Sequence, residues 1–314
     1  MYIFVADSKQ TKKLLKMKYF KFPLALVLAL VVLSCGNKKK QEVEQAVKAF
    51  DIEDYIKTAE SIEPNLSKVD QVFSILDMVN AEYYESLTND PYSAHSYKTS
   101  YPVAAANLGI YITDIVYHQF GGQEEKMYLT FQAAQELANY VGVESAFSSW
   151  TIDNIEGADM MKRDTLTMLF NTLLKDSEKY NSEKEMVFVH TAFLTGSFIE
   201  KVFISGNLLK QKMQESELTQ EQEGDIKKLL VIYLNQLDPA TGTLYKAFEQ
   251  QKEALSGLTV LSTFEKLEAL SVHLREIKPD MIAAPVAELA SNKDLITSFE
   301  LITDLRNVLV SATQ

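Results

Sequence analysis

Apolar residues recur at intervals of three and four along most of this chain, and no sustained two-residue alternation appears. That period belongs to helices with one face turned to a core, so the pattern predicts an all-α protein, a multi-helix bundle. Helices are expected near 41–61, 66–87, 101–119, 123–141, 144–153, 158–179, 183–204, 219–236, 243–255, 258–276, 280–290 and 293–311. Asn89-Asp90-Pro91, Gly121-Gly122, Asp238-Pro239 and Lys278-Pro279 punctuate this series. With seven prolines and eleven glycines in the chain, most connections should be short, as between antiparallel neighbours of a bundle. The all-helical domain is expected to span 41–314, with 238–242 as its best place for a subdivision. Ala106, Leu108, Ile112, Asp114, Val116 and Tyr117 match Ala192, Leu194, Phe198, Glu200, Val202 and Phe203 at a constant offset of 86 residues. If that repeat marks a duplication, the bundle consists of two similar halves.

The pattern ahead of residue 41 differs. Lys18 and Lys21 precede an unbroken apolar run from Pro23 to Leu33, which leads to Cys35, the only cysteine. Eleven apolar residues fall short of the about 20 that span a bilayer as a helix, so the run reads as a cleaved leader. Val32-Leu33-Ser34-Cys35 resembles the lipobox of bacterial lipoproteins, with Leu33 larger than the residue usual at its position. The resemblance covers about 20 residues. It implies removal of 1–34 as a signal peptide and acylation of Cys35, leaving 35–40 as a short polar tether. Met17 is the expected natural start, since 17–35 already form a complete leader. Two or more acyl chains hold a protein stably at a membrane. The resemblance implies the outer membrane and its periplasmic face, because no aspartate follows the cysteine.

Charge narrows the partners. The whole chain carries -12, and the leader takes away six lysines and one aspartate, so residues 35–314 carry -17. Such a body repels phosphate backbones, which argues against nucleic acid. With Cys35 acylated no thiol remains for disulfides, metal ligation or nucleophilic attack. The expected partners are the membrane, through the lipid, and an envelope protein or small ligand; no cofactor is expected.

Two helices concentrate candidate chemistry. In 101–119, Asn107, Tyr111, Asp114 and His118 stand at offsets of 0, 4, 7 and 11, which places them along one line of the helix. They either line a ligand pocket, with Asp114 orienting His118 or Tyr111, or form a polar seam between helices. Gly109, in the same helix, predicts close approach by another helix or a ligand. In 183–204, His190, Ser197 and Lys201 share a face beside Glu200, and Thr191, Thr195, Gly196 and Ser197 keep part of that helix small. If the two helices meet, Asp114, His118, His190 and Glu200 surround one cavity, a carboxylate and histidine set of the kind that holds a metal in a bundle. The chain lacks the repeated Glu-x-x-His pattern of di-iron bundles and has four histidines in all, which argues against a metal centre. His273 and Glu276 resemble the His-x-x-Glu element of imelysin-like lipoproteins over those two residues, too short a match to carry a function. His95 is expected on an exposed loop and Trp150 as a buried anchor. Nucleophile elbow, phosphate loop, dinucleotide fingerprint and His-Glu-x-x-His motifs are absent, and the expectation is a binding or structural protein rather than an enzyme.

Overall fold

The computed structural model describes residues 80–144, 187–255, 260–277 and 279–311. All lie within one unit of the chain, Phe50–Gln314. The expected signal peptide, Cys35, Trp150 and the helices placed at 41–61, 144–153 and 158–179 fall outside the described residues, apart from Glu144.

The described chain is all-α, and no strand occurs in it. Its helices are α1 (Tyr101–Phe120), α2 (Glu124–Val141), α3 (Val187–Met213), α4 (Gln220–Leu255), α5 (Val260–Glu276), the short α6 (Val286–Leu289) and α7 (Lys293–Val310). Short 3-10 helices cover Glu85–Leu87, Pro91–Tyr97 and Pro279–Ala283. Local chemistry sets several ends. Ser100 accepts from the Val103 N–H at the start of α1, where Pro102 occupies the first turn and loses no helical bond. Asn292 caps α7 by accepting from the N–H groups of Asp294 and Leu295. Gly142 ends α2 at φ +90°, the left-handed geometry that glycine adopts without strain.

Four expected boundaries are corrected. Of the helix placed at 66–87 only 80–87 is described, and there Asn80 takes a positive φ and Glu85–Leu87 alone forms a helical turn, of the 3-10 type. The helix expected to stop at 204 continues to Met213. The break expected at Asp238-Pro239 is absent: α4 runs unbroken through 238–242, so the proposed subdivision falls inside a helix. Proline there removes the N–H that would bond the Asn235 carbonyl, but Asn235 and Pro239 are both exposed, and water can serve that carbonyl. The segment 280–290 is a 3-10 turn followed by the four residues of α6 rather than one helix.

α1 and α3 form the centre, packed on each other. α2 covers α1, α4 and α7 flank α3, and α5 lies against α4 and α7. Burial of the central pair is continuous: every residue from Val103 to Ile115, and every residue from Val189 to Gly206, is inside. A helix buried on all sides has no solvent face on which polar residues can rest. Each polar group on α1 and α3 therefore needs a partner within the protein.

The pair approaches closely because both helices carry glycine at the crossing. A methyl group on Gly109 would run into the backbone carbonyl of Phe193 and come within 2.7 Å of the Ser197 nitrogen. One on Gly196 would run into the carbonyl of Ala106. Thr113 spans the same contact, with its hydroxyl 3.1 Å from the Ser197 hydroxyl and within bonding range of the Gly109 and Ser197 carbonyls.

Candidate functional site

The α1 stripe is brought to several places rather than to one pocket. Asn107 is completely buried and donates from Nδ2 to two carbonyls at 3.0 Å, Val103 in its own helix and Leu309 in the last turn of α7. A carbonyl in a final helical turn has no partner within its helix, so Asn107 closes α7. Tyr111, also fully buried, donates to the Asp90 carbonyl at 2.7 Å, and burial pushes its hydroxyl pKa up. Asp114 Oδ2 accepts from the Asn89 N–H at 3.0 Å. Tyr111 and Asp114 thus dock the Asn89-Asp90 turn onto α1.

Asp114 also meets α3. It is fully buried and hydrogen-bonded to Glu200, which is itself fully buried and receives Arg306 of α7 through two bonds, from Nε and from a terminal nitrogen, both 2.8 Å. Arg306 stacks over Phe203, with its guanidinium carbon 4.5 Å from the ring centre. One cation thus faces two carboxyl groups in a dry interior. Burial raises the Asp114 pKa well above the ordinary value, the Glu200 charge raises it further, and Arg306 with the Asn89 N–H only partly offsets this. Burial opposes the charge on Arg306, but the Glu200 carboxylate outweighs it and holds the guanidinium protonated. No donor reaches Asp114 Oδ1. Asp114 held as the neutral acid leaves one net-neutral cluster with Glu200 and Arg306 across α1, α3 and α7.

His118 lies elsewhere. Its Nδ1 is 3.0 Å from the Tyr83 hydroxyl and its Nε2 is 3.0 Å from the Thr130 hydroxyl. Asp114 does not orient it. Burial, helped by the nearby Lys126 charge, lowers its pKa to about 4, so the ring is uncharged at neutral pH. A neutral imidazole has one N–H and one bare nitrogen, and the two hydroxyls supply the complementary acceptor and donor. His190 is buried apart from both groups, and burial alone lowers it to about 4. The expected convergence of Asp114, His118, His190 and Glu200 is therefore corrected: only Asp114 and Glu200 meet. The partner that sequence reasoning missed is Arg306, 106 positions from Glu200 and in a helix where a lone arginine reads as a surface residue. Lys201 and Ser197 are buried, and Ser197 is taken up by Thr113.

Among the described residues, no group of three or more histidine, cysteine, aspartate or glutamate side chains is arranged to hold a metal. His273 bonds the Asp294 carbonyl at 2.9 Å, tying α5 to the start of α7. His95 is exposed as expected, but it sits in the Pro91–Tyr97 3-10 helix, 3.4 Å from Glu136.

His118 also touches a cavity that opens to solvent. That cavity, of about 320 Å³, lies between the Glu85–Tyr92 segment and α2. His118 and Thr130 contribute to its floor, and Glu85, Thr88, Tyr92 and Lys126 to its walls and rim. Glu85 and Lys126, both in its lining, form an ion pair. Compared with known protein families, curated proteins and solved structures, the chain matches none.

Proposed function

We propose that this chain is a lipoprotein tethered to the outer membrane through an acylated Cys35, with a helical body facing the periplasm that binds a partner or ligand, or serves as a scaffold, without catalysing a reaction. The observation that carries the anchor is Val32-Leu33-Ser34-Cys35 directly behind the Pro23–Leu33 apolar run. The body supports a binding or scaffold role through its centre, where the polar residues expected to form an acid-base site are used up in packing. Asp114 and Glu200 are engaged by Asn89 and Arg306, and Asn107 closes α7. A general acid or base must reach a substrate, and these groups are at zero exposure.

Labelling with an alkyne fatty acid in a Gram-negative host tests the anchor. The intact chain should incorporate the label and sediment with outer membranes, whereas Cys35→Ala should lose the label and accumulate uncleaved. An unlabelled intact chain, or a labelled Cys35→Ala variant, would overturn the reading.

A small-ligand role has one specific observation in its favour: the cavity above His118, which opens to solvent while the ionic cluster does not.

A further inference from the structure

The cavity beside His118 has an unusual balance of charge. Its floor carries no ionised group, because His118 is neutral and already shared between Tyr83 and Thr130. On its wall the Glu85 carboxylate and the Lys126 ammonium neutralise each other. Asp90 also lines the cavity, but its carboxylate caps the Pro91–Tyr97 helix by accepting from the Tyr92 N–H at 3.0 Å. An anionic ligand would meet the Asp90 charge and would have to open the Glu85–Lys126 pair before it gained an ion pair of its own. A ligand rich in hydroxyl groups would not, since it can donate to Glu85 and accept from Lys126 while the pair stays closed.

The rim supplies the complementary half. Tyr92 is 81% exposed, the most exposed large apolar side chain among the described residues, and it lines the cavity together with Pro91 and Leu129. An exposed tyrosine ring offers an apolar face that can stack on a ligand and a hydroxyl that stays in water. A pyranose ring divides in the same way, with an apolar C–H face and an edge of hydroxyls. The volume of about 320 Å³ lies at the low end for small-molecule sites, the size suited to one sugar unit rather than a long chain. We infer that this cavity is a saccharide site that takes one uncharged hexose unit, with Tyr92 as its stacking platform and the Glu85–Lys126 pair as its hydroxyl clamp. It deepens the binding reading given above and does not require the lipid anchor.

The test is calorimetric titration of the full chain in detergent with glucose and N-acetylglucosamine, with glucose 6-phosphate as the charged counterpart. At least one neutral sugar should bind in the millimolar range, and glucose 6-phosphate no more tightly than glucose. Tyr92→Ala should weaken binding about tenfold, the loss of one stacked aromatic contact, with helical circular dichroism unchanged because the side chain is exposed. Glu85→Gln should also weaken it, through the clamp rather than the platform. Absence of binding by both neutral sugars up to about 10 mM, indifference to Tyr92→Ala, or tighter binding of glucose 6-phosphate would each overturn the assignment. Retention on a dextran resin would identify the unit as part of a polymer, and binding without retention as a free sugar; both support the site. Fatty-acid labelling at Cys35 reads the anchor independently, so either conclusion can fail without the other.

Discussion

Arg306 shows how much can depend on one residue when its partners are out of water. It is the cation of a cluster with two carboxyl groups, and removing it leaves Glu200 ionised with nothing to offset the charge. Breaking a buried pair from one side costs about 3–5 kcal/mol, whereas replacing both partners by apolar residues of similar size is often neutral. Arg306→Met should therefore destabilise by about that amount, and the Glu200→Met/Arg306→Met pair by clearly less than Arg306→Met alone, as read in urea unfolding. Equal loss in the single and the double variant would show that Arg306 acts through its stacking on Phe203 rather than its charge. Asp114 offers a cleaner contrast. Asn at that position keeps an acceptor for the Asn89 N–H and a donor toward Glu200, which are the two things the neutral acid provides. Asp114→Asn should fold with near-native stability at pH 7, while Asp114→Ala, which orphans the Asn89 N–H, should lose about 1–3 kcal/mol in the same unfolding experiment.

At the level of elements, α1 and α3 are held at a distance set by two glycines. Alanine normally favours a helix over glycine by about 1 kcal/mol, so the intrinsic effect of a glycine to alanine change is stabilising. Here the added methyl meets the opposing backbone, which cannot rotate away as a side chain can. Gly109→Ala and Gly196→Ala should each destabilise by about 1–3 kcal/mol, whereas Gly224→Ala, with open space around it in α4, should be neutral or stabilising. Thermal melts of the three variants check the sign. The helices themselves were legible because their period survives in residues that must face a core. α1, α2, α5 and α7 lie within two residues of their expected limits. Pro239 misled because α4 carries it with the freed Asn235 carbonyl on an exposed face, and that exposure cannot be read from the dipeptide. The candidate site was legible by residue and not by grouping. Asp114 and Glu200 do meet, as the packing of the two helices implies, but which partner settles their charge depends on α7, and periodicity carries no information on how three helices converge.

The whole molecule sums these local choices into a stability that depends on pH with two opposed signs. His118 and His190 are held neutral in the fold, near pKa 4, against an ordinary value of 6.5. Between those values the unfolded chain binds more protons than the folded one, so stability rises with pH. The histidine contribution is complete above about pH 6.5 and is lost as the pH falls toward 4. Asp114 works the other way, since its folded pKa lies above the ordinary 3.8 and the folded state holds the extra proton. Its contribution is complete below 3.8 and declines as the pH rises toward the raised folded value. Each group contributes at most about 1.4 kcal/mol per pH unit, so two histidines against one aspartate leave an acid limb that still rises with pH. His118→Gln, whose amide can serve both the Tyr83 and the Thr130 hydroxyl without titrating, should reduce that rise by up to about 1.4 kcal/mol per pH unit between pH 4.5 and 6. Asp114→Asn should steepen it over the same range, because the opposing proton is removed. Urea unfolding midpoints at half-unit pH steps decide the matter: a His118→Gln profile parallel to that of the unaltered chain would mean that His118 takes up its proton in the folded state, and that the floor of the saccharide cavity is charged at mildly acidic pH.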